Sequence, residues 1–465
     1  MVNADVKDGE KVISVAEILR KSDPVFDPGN RPSLSVAIDL LLGQQNGYLV
    51  PFASVRLAHH ADIPELNLFR CLFGRDALLI TDLLGSIKPE LVVNVLLALA
   101  SVQGAKFDAL SEEEPGRIPH EVRELNDPVA VHLMREGNWK FPYYGAVDAT
   151  LIWLRMLAQV TETNPALLDT EVAGETLSRR AIAASKWLLT RLSSPSGLIE
   201  SCRSNPQGIQ NQVWKDSGDS YMHGDGKLAV GDSTASIETV GETFDAIVAI
   251  TQIASRRPDG DWPLSESEWL GLAEQVRERL FDLMWLGDRF ALGTERDSLG
   301  MQIPFDSQAS NQGRLLDSEI LVGGDFDPYR RAIASALTDS GLLAGSGLRT
   351  LSAKHPSYRP GGYHTGSSWP MDGTFAARGL AKHGFIAESH LIGDRIKGAI
   401  ESIGGYPEFF RSDWPNAELI SRSTTIVTTS ADLGDHQFYN HVSQPPQLIQ
   451  GWTVGAYAWL TNRKR

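Results

Sequence analysis

The sequence predicts an all-α protein folded as one large domain over residues 1–465. Three observations carry this reading. Apolar residues return at three- and four-residue steps along almost the whole chain. Strand-like alternation is scarce, with residues 424–429 the best candidate. No Pro/Gly/Ser-rich linker or low-complexity tract divides the chain.

In chain order, helices are expected over residues 33–42, 76–84, 89–102, 147–160, 177–192, 237–255, 266–283, 329–340, 371–383, 386–403 and 448–460. The third of these shows the pattern plainly, with Leu91, Val92, Val95, Leu96, Ala98 and Leu99 on one stripe. The joints at 116–147, 201–231, 294–317, 352–372 and 404–447 are long and rich in Gly, Trp, Tyr, His and Asp. Long segments without regular structure inside a compact domain usually carry function. Helix pairs with such loops at one end suit a closed helical toroid. Periodicity alone leaves an α-solenoid or a large bundle open.

Composition bounds the function. With 43 basic against 58 acidic residues the net charge is −15. Such a surface repels phosphate backbones and anionic lipid, which argues against nucleic-acid and membrane partners and favours a neutral guest such as a sugar. Cys71 and Cys202 are the only cysteines, too few for a disulfide framework, and they favour a reduced cytoplasmic setting. The N-terminus carries mixed charge without the apolar region of a signal peptide. No stretch approaches the roughly 20 apolar residues of a membrane helix.

Five clusters carry chemistry. Phe73-Gly74-Arg75-Asp76 precedes an apolar run, and an adjacent Arg and Asp can together hold neighbouring hydroxyls. Alone, the pair reads as readily as a helix cap beside a solvated arginine. Asn211-Gln212-Val213-Trp214-Lys215-Asp216-Ser217-Gly218-Asp219-Ser220-Tyr221 packs an aromatic face, a cation and two carboxylates into one loop. Asp216, Asp219, Asp225 and Asp232 lack the spacing of a helix–loop–helix calcium site, so no metal is expected. Tyr358 to Pro370 forms an aromatic, glycine-rich loop containing His364 and Trp369. Glu408 stands among aromatic and proline residues in Gly405-Tyr406-Pro407-Glu408-Phe409-Phe410, where a carboxylate is costly unless paired. Arg117, His120 and Glu121, with the segment Tyr143-Tyr144-Gly145-Ala146-Val147-Asp148, add further aromatics and charge. His59-His60 reads as surface. Phosphate loops, serine elbows, HExxH and CxxC are absent, which leaves those chemistries and their cofactors without support.

Six of these segments, FGRDAL at 73–78, YYGAVDAT at 143–150, NQVWKDSGD at 211–219, ASNQGRLL at 309–316, Trp369-Pro370 and PEFF at 407–410, stand in an order that resembles the glucosidase module of glycogen debranching enzymes. The likeness extends more distantly to glucoamylases and processing α-glucosidases, over roughly residues 35–460. It implies an (α/α)6 barrel and an inverting, exo-acting α-glycosidase. It implies Glu408 as general base, with Arg75 and Asp76 gripping the terminal sugar and Tyr144, Asp148, Trp214, Lys215, His364 and Trp369 around it. The general acid falls on Asp216 by the debranching pattern and on Asp219 by the Ser-Gly-x-Asp motif of glucosylglycerate- and mannosylglycerate-hydrolase-like relatives. Nothing outside the barrel is left over to handle long glucan, so the resemblance points to a small glycoside rather than glycogen. Two other readings stay open: a sugar isomerase or epimerase using His364 with His223 or His436, and a non-catalytic carbohydrate-binding protein.

Overall fold

The computed structural model describes residues 32–55, 69–230, 233–412 and 449–463. The expected strand at 424–429, and with it His59, His60, Asp232 and His436, lies outside the described residues.

The helices are α1 Leu34–Leu41, α2 Gly74–Leu84, α3 Pro89–Ala100, α4 Pro128–Glu136, α5 Asp148–Thr163, α6 Leu177–Leu192, α7 Ile237–Arg256, α8 Glu266–Met284, α9 Gly313–Asp317, α10 Asp327–Thr338, α11 Pro370–Lys382, α12 Ile386–Ile403 and α13 Gly451–Asn462. Six of them, α2, α5, α7, α9, α11 and α13, pack each against the next, and α13 returns to α2 to close a ring. Six more pack outside: α3 lies on α2 and α5, α6 on α5 and α7, α8 on α7, α10 on α9, α12 on α11, and α1 on α13, while α4 belongs to the loop between α3 and α5. The fold is an all-α toroid, the (α/α)6 arrangement that the sequence led us to expect.

Burial separates the two rings. Outer α8 buries Trp269, Ala273, Val276, Leu280 and Met284, a single stripe, and begins with a reciprocal cap between Ser265 and Glu268. Inner α7 is enclosed on nearly every face, burying Ile237 to Gly241 without interruption and most residues down to Ile253. A helix packed on both sides reads as broadly apolar, which makes the longer inner helices legible in the sequence. Where inner helices meet, small residues are needed. A Cβ on Gly379 of α11 would stand 2.5 Å from the Asp317 backbone nitrogen at the end of α9.

The sequence missed two helices. α4 is polar and half-exposed, although Asp127 caps it and Pro128 opens it in the usual way. α9 has five residues, too few to show a period. α13 starts three residues later than the apolar pattern because the Gln450 side chain accepts from the Trp452 amide and sets the cap there. The strands are all short and sit in the loops. The largest sheet, in the order Thr234–Ser236, Gly293–Arg296, Gln302–Pro304, is antiparallel and stands at the entrance to α7.

Contacts along the inner ring fix its polarity. Arg75, the second residue of α2, meets Asp148, the first of α5, and deeper down Asp82 of α2 meets Arg155 of α5. The inner helices are therefore parallel, with their N-termini gathered at one end. Among the described residues no helix is long and apolar enough to cross a membrane.

Candidate active site

The gathered N-termini hold the carboxylates. Asp76 lies in the first turn of α2, Asp148 opens α5, Glu238 lies in the first turn of α7 and Asp372 in that of α11. Free amide groups and the aligned peptide dipoles at these ends favour negative charge.

Arg75 organises the first cluster. Its Nη1 donates to both oxygens of Asp148, at 3.1 and 3.3 Å, and its Nη2 to Asp216 Oδ2 at 3.3 Å. Arg75 and Asp148 are almost wholly enclosed, whereas the Asp216 side chain is 32% exposed. Burial works against the arginine's charge, but Asp148, Asp216 and Asp76 outweigh it and hold the guanidinium protonated. One cation then serves three carboxylates. Burial raises Asp76 to about 7 against the pull of Arg75. It raises Asp216 to about 6 in the same way. The cluster thus holds exchangeable protons in the range where a general acid works.

Glu408 is buried, and its Oε1 accepts from the Tyr363 hydroxyl at 2.8 Å. Its segment is gripped from both sides: Tyr406 pairs with Ile449, Phe410 exchanges backbone bonds with Ser368, and Thr453 Oγ1 donates to the Pro407 carbonyl at 2.7 Å. The Tyr363 phenol is pushed far up by burial and then by the charges of Glu408, Asp216 and Asp76. Carboxylates from three separate stretches of sequence thus act on one phenol, and Glu408 is the one bonded to it.

Aromatic rings wall this space. Trp369 stacks on Phe409 at 5.2 Å and on His364 at 5.2 Å, and meets Trp214 and Tyr363 edge-on at 5.8 and 4.9 Å. Its Nε1 donates to the Tyr363 carbonyl at 2.7 Å. His364 is kept neutral by burial, with Lys215 and Arg75 adding to the effect, and its Nδ1 lies 2.8 Å from Ser217 Oγ. Ser217 Oγ also donates to Asp219 Oδ1 at 2.7 Å, so Asp219 belongs to a serine–histidine network beside the first cluster.

Burial leaves several of the expected sugar ligands little open surface, with His364 and Trp369 2% exposed and Asp148 1%. Lys215 is 1% exposed, and its Nζ donates to the Thr350 carbonyl at 2.7 Å. Tyr144 is buried, with its hydroxyl committed to the Val102 carbonyl at 2.7 Å. Trp214 is buried against His364 and Trp369 and presents no open face. In each case packing has turned a loop residue into the fold. Of the histidines of the isomerase reading, His223 pairs with Glu295 at 2.7 Å and lies against Phe305, His364 bonds Ser217, and His436 lies outside the described residues. Among the described residues, no three His, Cys, Asp or Glu side chains converge to hold a metal.

The sequence reading did not single out Tyr363, nor the next tier down the barrel. There Glu238 accepts from Tyr221 and Asn311, each at 3.0 Å, and Glu242 pairs with Arg314 at 2.9 Å. The available signal was a glutamate pair one helical turn apart inside an otherwise apolar run.

Comparison with known proteins agrees with this architecture. Solved structures of the GH63 mannosylglycerate hydrolase from Thermus thermophilus share the fold. The complex with Tris and D-glycerate superposes with a TM-score of 0.59 at 12% identity, covering 93% of this chain and 100% of that one. The complex with glucose gives 0.58 at 13% identity over the same shares. A glycosidase variant in complex with glucose gives 0.53 at 14% identity, covering 92% of this chain and 94% of that one. No protein of curated function matches the sequence. The family model for the mannosylglycerate hydrolase MGH1-like glycoside hydrolase domain matches residues 115–413, well over half of the chain. The chain therefore belongs to the MGH1-like family of glycoside hydrolases, which agrees with the mannosylglycerate-hydrolase-like side of the resemblance and adds no support to its debranching-enzyme and glucoamylase side.

Proposed function

We propose that this enzyme is an inverting, exo-acting glycosidase that hydrolyses a small α-glycoside, with Glu408 as general base and Asp216 as general acid. The observation that carries the reading is the bond from the Tyr363 hydroxyl to Glu408, at a phenol whose ionisation the charges of Asp216 and Asp76 also oppose. Inversion needs an acid to protonate the leaving oxygen and a base to activate water on the opposite face, with the carboxyls roughly 6.5–9.5 Å apart. Asp216 suits the acid because burial keeps its pKa up near 6 while its side chain stays partly open to a ligand. Arg75 and Asp76 grip the terminal sugar. Complexes of the Thermus hydrolase with glucose and with D-glycerate support a hexosyl unit joined to a small polar aglycone.

A second assignment of the acid has its own support. Ser217-Gly218-Asp219, one residue shorter than the Ser-Gly-x-Asp motif it resembles in mannosylglycerate-hydrolase-like relatives, supports Asp219 as the acid instead. The two are separated by leaving-group chemistry, since fluoride departs without a proton donor. Whichever of Asp216→Asn and Asp219→Asn stops cleavage of an ordinary glycoside yet still hydrolyses the matching α-glycosyl fluoride has lost the acid.

The reading is tested by a proton NMR time course on glucosylglycerate, mannosylglycerate, kojibiose, isomaltose, trehalose and maltose. Release of the β-anomer of the free sugar from one of them is expected. First release of the glycosyl unit as the α-anomer overturns inversion (for trehalose, whose leaving glucose is itself the α-anomer, this means α-anomer without an equal amount of β), and no turnover across the panel overturns the glycosidase itself.

A further inference from the structure

Lys215 was expected to touch substrate, yet it is 1% exposed and points away from the cluster that its neighbour Asp216 joins. Burying an ammonium is costly unless it is paired, and a methionine of similar length would fit an apolar wall better. Its surroundings account for the charge. The ammonium stands 5.2 Å from the centre of the Trp214 ring, and the charges of Asp372 at the start of α11 and Glu238 at the start of α7 favour it. Burial draws its pKa down to about 8 while both carboxylates hold it up, so the cation persists at neutral pH.

What Lys215 binds matters more. Nζ donates to the Thr350 carbonyl at 2.7 Å. The amide of Thr350 donates to the Ser367 carbonyl at 2.9 Å, and its hydroxyl accepts from the Gly366 amide at 3.0 Å. The next residue, Ser368, exchanges two backbone bonds of 2.9 Å with Phe410, two positions beyond Glu408. A continuous chain of hydrogen bonds therefore runs from the arm carrying Asp216 and Asp219 to the arm carrying Glu408.

We propose that Lys215 is a positioning residue that bolts the acid-bearing arm to the base-bearing arm through Thr350, fixing their separation without touching substrate. This rests on the glycosidase reading above and holds for either candidate acid, since both lie within four residues of Lys215. The base arm keeps backbone and side-chain supports at Ile449, Thr453 and Tyr363, whereas around the candidate acids the other arm keeps the side-chain bonds of Asp216 to Arg75 and Ser217 to His364, so loss of the bolt displaces the acid more than the base.

The test compares Lys215→Met with the wild-type enzyme on the glycoside it cleaves best and on the corresponding α-glycosyl fluoride. On the glycoside kcat is expected to fall on the order of 100-fold, as an ångström-scale misplacement does. KM should stay within about twofold, and fluoride hydrolysis within about threefold. Equal loss on both substrates, or a loss carried by KM, overturns the proposal and returns Lys215 to a general structural or a ligand role. If Lys215→Met does not fold, the Lys215→Met/Asp372→Asn double variant, which also removes a carboxylate left without its cation, decides by the same split. Failure of the wild-type enzyme on both substrates overturns the glycosidase reading, and this inference with it.

Discussion

The Tyr363 hydroxyl donates to Glu408 Oε1 at 2.8 Å, while the ring of Tyr363 stands edge-on to Phe409 and Trp369 at 5.3 and 4.9 Å. The aromatic packing fixes the phenol, and the phenol in turn fixes one oxygen of the proposed base. A hydrogen bond to the ionised form of a carboxylate favours that form. Tyr363→Phe takes that bond from the proposed base and frees its oxygen to turn. A bond to a charged group contributes about 1.5–3 kcal/mol, so the optimum rate should fall roughly 10- to 100-fold. Glu408→Gln should abolish turnover, because an amide cannot take the proton of the attacking water. Full activity in Glu408→Gln would end the assignment.

Asp76 invites a test of stored instability. Its folded pKa is raised to about 7 from an ordinary 3.8, chiefly by burial. A carboxylate raised in this way stabilises the fold fully below pH 4, and that contribution is lost as pH rises through 7. At pH 8 the enzyme carries the ionised, enclosed carboxylate at a cost. Asp76→Asn should therefore raise Tm at pH 8, by an amount on the order of 2 kcal/mol in stability, and do so much less at pH 4. The same variant should lose most of its activity if Asp76 holds the terminal sugar. A Tm gain independent of pH would contradict the linkage.

Much of this was legible in the sequence, for physical reasons. Inner helices are apolar on several faces and announce themselves, and carboxylates beside aromatic residues in long loops are costly unless used, which drew attention to Asp216 and Glu408. Which way a loop side chain turns was not legible. Lys215 and Asp216 are neighbours, yet one is sealed against Thr350 and the other reaches Arg75. Tyr363 sat in a loop already marked as interesting, but only the packed structure shows its hydroxyl on Glu408. Two-residue strands and the five-residue α9 exist through tertiary contacts, and local pattern carries no trace of them.

Arg75 should control the alkaline limb. Protonated Asp216 is the proposed active form, and Arg75 lowers its pKa against the larger effect of burial that raises it to about 6. Removing the cation in Arg75→Met leaves burial unopposed, so the Asp216 pKa should rise and the alkaline limb of kcat should move upward. KM should rise as well, since the grip on the sugar is lost. An unmoved limb alongside an increased KM would separate Arg75 from the acid and favour Asp219.

The far end of the barrel yields the clearest stability prediction. Arg378 of α11 donates to Asp82 of α2 at 3.0 and 3.1 Å and to Asp317 of α9 at 2.7 Å twice over, and Arg155 of α5 reaches Asp82 at 2.8 Å. This girdle ties four of the six inner helices together and closes the end opposite the active site. Burial favours a neutral Asp82, but the two arginines outweigh it and hold its pKa well below the usual range. A carboxylate lowered in this way stabilises the fold above pH 4, and that stability is lost as pH falls through its folded pKa. Asp82→Ala takes the ion-pair partner from Arg155 and leaves Arg378 to Asp317, and should cost about 3–5 kcal/mol at pH 7. Asp82→Asn keeps the volume and removes the charge, so its acid-unfolding midpoint should move to higher pH. Because the girdle lies deep below the gathered N-termini, kcat per folded molecule should stay within about twofold in both variants. A selective loss of kcat with stability unchanged would mean that the girdle acts on the chemistry and not on ring closure.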